Sequence, residues 1–297
     1  MAPALHFCDV VVSVPRVDDP SYSQSLLDII AKHDVELVVP LIDTELAVHA
    51  SLRPEIEALG ATALISSPAA VEMTQDKYFT WQFFRDIGAP APDVELPGAD
   101  LERLGLPVVV KPRQGSSSEH VYFCATPEER DAALLAAPDP IVQVLAGGTE
   151  LTIDLLADLD SRPINVVVRE RIRTRGGESS VGVTVDRPDV VAHALRICAA
   201  LRPRGPITIQ CFRDDRGTVL FTEINARLGG GYPLADASGA DFPGLVVRMC
   251  RGETVGSCFG SHRVGLAMAR YDRSVFYDIA EGAAAPGSFT SEEPQHT

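Results

Sequence analysis

Apolar and polar positions alternate in two rhythms along the first seventy residues. The run "DVVVSVP" at 9–15 reads as a strand, and "SYSQSLLDIIAKHD" at 21–34 places Leu26, Leu27 and Ile30 at helical spacing behind a serine cap. "VELVVPLID" at 35–43 predicts a second strand and "ALISS" at 63–67 a third, with a helical stretch at 44–60 between them. Strands and helices alternating at this pitch predict a parallel sheet covered on both faces.

Ser67-Pro68 then opens a helical region by the cap-plus-proline pattern. Phe79, Phe83 and Ile87 form an i, i+4, i+8 stripe that ends at Gly88, and "GAPAPDVELPG" at 88–98 reads as a linker-like loop. "LPVVVKP" and "HVYFC" predict strands, and Thr126 to Glu129 predicts a capping box opening a helix. Further strands are expected at 140–145, 150–158 and 162–172, then a helix capped by Asp186 through "VVAHALRICAAL". "ITIQCF" and "TVLFTEIN" flank "RDDRG", a hairpin signal, and "GLVVRMCRGE" predicts a late helix. The residues after Phe276 read as disordered, and no internal repeat is visible.

Composition narrows the partners. The chain has 297 residues, 45% of them apolar and 23% charged, enough to bury a real core. A net charge of −15 argues against nucleic acid, although local cations can still hold a small phosphate ligand. No run of eighteen apolar residues suggests a membrane span, and the first residues lack a signal-peptide layout, so a cytoplasmic protein is expected. The six cysteines are far apart with no CxxC, and read as buried small hydrophobes in a reducing compartment.

The segment "FTEINARLGGGYP" at 221–233 carries the chemistry. Residues two apart on a strand share a face about 6.5–7 Å apart, so Glu223 and Asn225 project together. A hairpin turning on Asp215-Arg216 would set Gln210 opposite Phe221 and diagonal to Glu223. One carboxylate and two amides suit a hard cation that arrives bound to polyphosphate. "VVVKPRQGSSSEH" adds Lys111 at a strand end before a Gly-Ser loop, whose backbone N–H groups and hydroxyls suit phosphate oxygens. Lys77, on the earlier helix, is a second candidate phosphate cation.

Taken together, Asp76-Lys77, "PVVVKPRQGSSS", "GTELTIDLL", Gln210 and "EINARLGGGYPLADASGADFP" resemble the ATP-grasp superfamily. The resemblance covers about residues 8–277 and is greatest to the branch related to the carbamoyl-phosphate synthetase large chain. It implies an α/β and α+β chain: a Rossmann-like pre-ATP-grasp domain over residues 1–70, a small lobe over 71–140 and a large lobe over 141–278, with a disordered tail at 279–297. The strand and Gly-rich turn that open related proteins are absent, so the first domain is expected to be shortened at its N-terminus.

By position, the resemblance implies that Lys77 and Lys111 hold ATP phosphates and that Gly115, Ser116 and Ser117 form a loop closing over them. Gln143, Val144 and Leu145 would touch adenine through their backbone, and Glu150 would bind the ribose. Gln210, Glu223 and Asn225 would bind Mg²⁺, or Mn²⁺ in its place, and Arg227 would contact the transferred phosphate. The implied activity is ATP-dependent carboxylate–amine ligation, a C–N bond made through an acyl phosphate, with ATP going to ADP and phosphate. The implied partners are a small-molecule carboxylate such as an amino acid and an amine, with neither nucleic acid nor membrane, and a homodimer is a compatible assembly.

Substrate contacts are expected from Arg173, Arg175 and Gly230: arginines alternate at 169, 171, 173 and 175 as a stripe facing the cleft, suited to an anionic substrate, or else as a solvated basic stripe. Glycines 229–231 would admit a ligand close to the backbone. Two residues depart from the pattern: Val144 replaces a common acidic hinge residue, and Glu119 stands where a basic residue is usual. These leave a second reading open, a non-catalytic ATP-binding regulatory or accessory module on the same fold.

Overall fold

The computed structural model describes residues 3–115 and 118–276; Ser116, Ser117 and the predicted tail lie outside the described residues. The first seventy residues form a small layered unit. Strands β1 (Leu37–Val38) and β2 (Thr62–Ala63) pair in parallel, as the alternating pattern predicts. Helices α1 (Tyr22–Lys32), α2 (Leu46–Ser51) and α3 (Arg53–Ala58) cover them, burying Ile30, Leu46 and Ile56 together. The predicted strand at 9–15 does not form. Val10, Val12 and Val14 are exposed there, and an apolar run with no neighbour to satisfy its backbone gains nothing from extending into a strand.

Two antiparallel sheets make up the rest. A four-stranded sheet has the order β3 (Val94–Glu95), β6 (Pro140–Val144), β4 (Val108–Pro112), β5 (Tyr122–Cys124). The segment read as a linker therefore supplies an edge strand, and Val94 is fully buried against Trp81 and Ile141. Helix α6 (Pro127–Ala136) backs this sheet and opens with the predicted capping box, in which Glu129 N–H donates to Thr126 Oγ1 at 3.2 Å.

The six-stranded sheet has the order β11 (Val219–Asn225), β10 (Gly205–Arg213), β7 (Thr149–Ala157), β8 (Pro163–Arg175), β9 (Glu178–Thr184), β12 (Ala267–Ala269). Helix α7 (Pro188–Leu201) and helices α4 (Pro68–Gln75) and α5 (Lys77–Asp86) cover its apolar face, where Phe84, Ile153, Ile197 and Phe221 meet. The N-cap of α7 is Arg187 rather than Asp186, with no side-chain cap bond. Strand β9, whose glycine and serines mask its alternation, was not expected. Helices α8 (Pro233–Ala237) and α9 (Phe242–Cys250) pack on the opposite face through Leu156, Val167 and Phe242.

Helix α5 lies where both sheets meet, and its buried residues are Thr80, Trp81 and Phe84 rather than the Phe79 stripe. Phe79 stays partly exposed because the Arg113 guanidinium lies 5.3 Å from its ring centroid, a cation–π contact. Cys124, Cys198 and Cys211 are buried as expected, and burial pushes the Cys198 and Cys211 thiols up to about 12; Cys8 is exposed.

Candidate functional site

The site begins with a defect in the β10–β11 hairpin. Gln210 pairs directly with Glu223, and Cys211 pairs with Phe221, so Thr222 is an extra residue in β11. The expected register, with Gln210 opposite Phe221, is corrected by two residues: a longer turn moves it by one, pairing Cys211 with Phe221, and the bulge moves it by one more. Without it, Phe221 and Glu223, two residues apart, would share a face. With it, Phe221 enters the core while Thr222, Glu223 and Asn225 turn to the cleft. Asn225 Nδ2 donates to Glu223 Oε1 at 3.1 Å, which fixes the amide beside the carboxylate.

Two lysines approach from the four-stranded sheet. Asp76 caps α5 by accepting the N–H groups of Tyr78 and Phe79, and it also takes Arg113 Nη2 at 2.5 Å. That ion pair ties the end of β4 to the start of α5 and brings Lys77 next to the glycine loop, where Lys77 Nζ donates to the Gly115 carbonyl at 2.9 Å. Lys111 is buried, with Nζ donating to Gln143 Oε1 at 2.9 Å. Burial is the main force pushing its ammonium down to about 8; Glu223 opposes the fall and Lys77 adds to it.

The sign of that shift gives a pH dependence. In the unliganded protein Lys111 loses its charge as pH rises through about 8. If Lys111 holds phosphate, as the resemblance implies, that attraction is then lost and the Kd for ATP should rise roughly tenfold between pH 7 and pH 9. Lys111→Arg, which stays protonated, should flatten the profile, and ATP titrations at the two pH values check both. A flat wild-type profile would show that this ammonium does not meet the nucleotide.

Between the two sheets these residues enclose a cavity of 430 Å³, lined among others by Lys77, Lys111, Leu145, Glu150, Gln210 and Glu223. Glu119 also lines it, so the acidic departure in the glycine loop does face the cleft. The hinge expectation needs revision. Val144 N–H donates to the Asp93 carbonyl at 2.9 Å and Leu145 N–H to the Pro107 carbonyl at 3.2 Å, so neither donor faces the cavity. Gln143 contributes its side chain, by holding Lys111, and its main chain lies in the ladder between β3 and β4. Ala146, not foreseen, lines the cavity with Leu145.

Glu150 lines the same cavity, paired with Arg171 Nη1 at 2.5 Å. Burial raises its carboxyl group's pKa in spite of that partner. Arg171 also donates to the Gly177 carbonyl at 2.6 Å, and its Nε is buried with no hydrogen-bond partner. It is the cation set between the 430 Å³ cavity and a second one of 510 Å³.

This second cavity reaches Asp43, Glu178, Arg227 and glycines 229–231, and a third of 280 Å³ lies beside Lys77, Gln75 and Asp43. Glu223 lines all three cavities. Arg227 Nε and Nη2 donate to the two Asp43 oxygens at 2.6 Å each, while Nη1 donates to the Leu228 carbonyl.

The arginine stripe does not run as the alternation suggests, because β8 breaks register against β9 between Arg171 and Arg173. Arg169 is buried in an ion pair with Asp154, and Arg171 faces the cleft. Arg173 and Arg175 are exposed, Arg175 pairing with Asp272 at 3.0 Å, so neither lines the cavities that Glu223 lines. Arg173→Ala and Arg175→Ala should leave turnover within about twofold of wild type in steady-state assays, as solvated pairs contribute little.

The glycines are explained from inside. An added Cβ on Gly229 would lie 2.9 Å from Thr208 Oγ1, one on Gly230 would meet the Glu178 carboxylate, and one on Gly231 would meet the Arg169 guanidinium. Gly230 does line the 510 Å³ cavity. At these positions the loop is laid closely over side chains of the sheet.

Residues 1–64 match the model of the PylC-like N-terminal domain, and residues 136–271 match that of an ATP-grasp domain in a biosynthetic pathway with the Ter operon. A D-alanine–D-alanine ligase from Mycobacterium avium is 30% identical over 254 residues, covering 72% of this chain and 68% of the relative. The chain belongs to the ATP-grasp family of ATP-dependent carboxylate–amine ligases.

A carbamoyl phosphate synthase large chain from Thermomicrobium roseum is 26% identical over 231 residues, 69% of this chain and 21% of that one. The biotin carboxylase domain of a Hydrogenobacter thermophilus 2-oxoglutarate carboxylase, solved with MgADP, ADP and bicarbonate, has the same fold. It superposes with a TM-score of 0.71 at 16% identity, over 86% of this chain and 62% of that one. Thus the ATP-grasp chain spans less than two thirds of the carboxylase it overlays. Among the described residues no helix is long and apolar enough to cross a membrane.

Proposed function

We propose that this ATP-grasp chain joins a small organic acid, an amino acid by analogy with the mycobacterial ligase, to an amine. The observation that carries the reading is the position of Glu223: its side chain lines three cavities at once, with Lys77 and Lys111 on one side and Arg227 on the other. A ligase of this kind brings together three reactants, and one carboxylate borders a space for each.

In this reading the 430 Å³ cavity takes ATP. Lys77 and Lys111 hold its phosphates, Glu150 its ribose, and the Gln143–Ala146 segment borders its base. The oxygens of Gln210, Glu223 and Asn225 share one face, and among the described residues no cluster of three His, Cys, Asp or Glu stands together. One carboxylate with two amides fits Mg²⁺ that completes its shell from phosphate and water. When bound there, Mg²⁺ supplies Lewis acidity and charge neutralisation at the phosphates.

The acid's oxygen attacks the γ-phosphorus, and the bond to the β-bridging oxygen breaks, releasing ADP. The amine nitrogen then attacks the acyl carbon, phosphate leaves with one oxygen of the original carboxylate, and the amine proton goes to solvent or phosphate. Arg227 stabilises the negative charge on the group in transfer. Lys111 and Arg171 neutralise the donor side. Exclusion of water protects the acyl phosphate.

The test is ADP release from ATP with pairs drawn from a panel of L- and D-amino acids, with and without Mg²⁺. Release that needs a pair of substrates and Mg²⁺ is expected. Tight ATP binding with no turnover for any pair would overturn the reading in favour of a nucleotide-binding module.

A further inference from the structure

We infer that Asp43, contributed by the N-terminal unit, is the positioning residue for Arg227. The inference rests on the ligase reading above and adds a role for the first seventy residues that this reading does not contain.

Asp43 and Arg227 are 184 positions apart in the chain, yet they form a two-pronged ion pair, Nε to Oδ1 and Nη2 to Oδ2, both at 2.6 Å. This parallel fork fixes the plane of a guanidinium as well as its position, which a single contact to a flexible side chain does not. With Nη1 donating to the Leu228 carbonyl at 3.0 Å, three of the five N–H bonds of Arg227 are spoken for by the protein. Two remain, one on each terminal nitrogen, and Arg227 lines the cavity in which the group transfer is placed.

The residue that aims Arg227 is itself held. Asp43 begins a single 3₁₀ turn (Asp43–Glu45) after β1. Glu45 Oε1 accepts the N–H groups of Leu41 at 2.9 Å and Ile42 at 3.1 Å, which closes that turn from within. Gln75 Nε2, at the end of α4, donates to the Asp43 carbonyl at 2.6 Å and locks it from the other side. Leu46, directly after the turn, is 1% exposed and anchors it in the core of the N-terminal unit. A surface ion pair formed by chance needs none of this scaffolding. Here a turn is braced twice so that one carboxylate reaches a distant arginine.

The same carboxylate borders both the 510 Å³ and the 280 Å³ cavities, so its pairing with Arg227 forms part of the wall between them. Asp43 touches the arginine and does not line the 430 Å³ cavity assigned to ATP, so it acts through Arg227.

The experiment compares Asp43→Asn, Asp43→Ala, Arg227→Ala and the double variant, using the amino-acid pair that gives the greatest ADP release in the panel. Asp43→Asn keeps the side chain's size and one accepting oxygen, so it tests the role even if Asp43→Ala does not fold. It should lower kcat by about 10–100-fold, the range seen when a group that orients another functional side chain is removed. The KM for ATP should stay within about twofold, a split that a general loss of structure would not give.

The double variant should be no slower than Arg227→Ala alone, since there is then nothing left to aim. A kcat within about twofold of wild type for Asp43→Asn, or a double variant slower by the full Asp43→Ala factor, overturns the inference. If Arg227→Ala itself turns over like wild type, it is the placement of Arg227 in the reaction that fails, a different and separable outcome.

Discussion

Glu223→Gln should lower the kcat for ADP release by about 10²–10³-fold and shift the Mg²⁺ concentration needed for half-maximal rate upward. Glu223 is the only carboxylate among Gln210, Glu223 and Asn225, so the substitution removes the formal negative charge of the set while preserving its shape. A preorganised electrostatic contact of this kind contributes about 2.7–4 kcal/mol to the barrier. The same carboxylate also opposes the fall of the Lys111 ammonium's affinity for its proton, so Lys111 should titrate lower in the variant and ATP binding should weaken at neutral pH. Steady-state kinetics across a Mg²⁺ series check both effects. An unchanged Mg²⁺ dependence would mean that the oxygen face of β11 does not hold the cation.

The second large effect is expected at Arg227 and has a different signature. Arg227→Ala should lower kcat by about 10²–10³-fold while the Kd for ATP changes little. The reason is geometric. Arg227 lines the 510 Å³ cavity with Glu223 and Asn225, and not the 430 Å³ cavity that contains Lys77, Lys111 and Glu150. Its loss therefore removes charge from the far side of the phosphoryl group. Burial alone would depress its guanidinium, yet Asp43, Glu223 and Glu178 together hold it above the ordinary value, so it stays cationic at any working pH. Nucleotide titration and turnover measured on the same sample separate the two quantities. A proportionate loss of both would place Arg227 on the nucleotide.

Much of this site could be read along the chain because it lies on strands and helix ends, where short periodicities and caps dominate. Lys111 follows an apolar strand, Lys77 follows the capping residue of α5, and Glu223 and Asn225 end the last hairpin. What could not be read depended on irregularities. Thr222 is a bulge, which strict alternation cannot represent, and the turn is one residue longer than expected, so Gln210 pairs two residues further along β11 and the faces of Gln210 and Glu223 still agree. With a second break between Arg171 and Arg173, the apparent four-residue stripe resolves into one buried arginine, Arg169, one cleft arginine, Arg171, and two exposed ones.

Asp43 carried no local signal at all. Its role rests on a contact across 184 residues, and in the sequence it is only the last polar residue of "VELVVPLID". The glycines were legible as a place of close approach, and the structure adds a constraint from the side of the sheet. Thr208, Glu178 and Arg169 crowd them from the sheet side. The strand at 9–15 was over-read for the opposite reason: the apolar run is present, but among the described residues no strand pairs with it.

The most direct test of the central claim follows one oxygen atom. The acid identified by ADP release is labelled with ¹⁸O in both carboxylate oxygens and converted in the presence of ATP, Mg²⁺ and its amine partner. If the terminal phosphoryl group passes to that carboxylate in front of Glu223 and Arg227, each phosphate released carries one ¹⁸O and the amide keeps the other. Phosphate free of label, with product still formed, would contradict transfer to the acid and with it the account of the site.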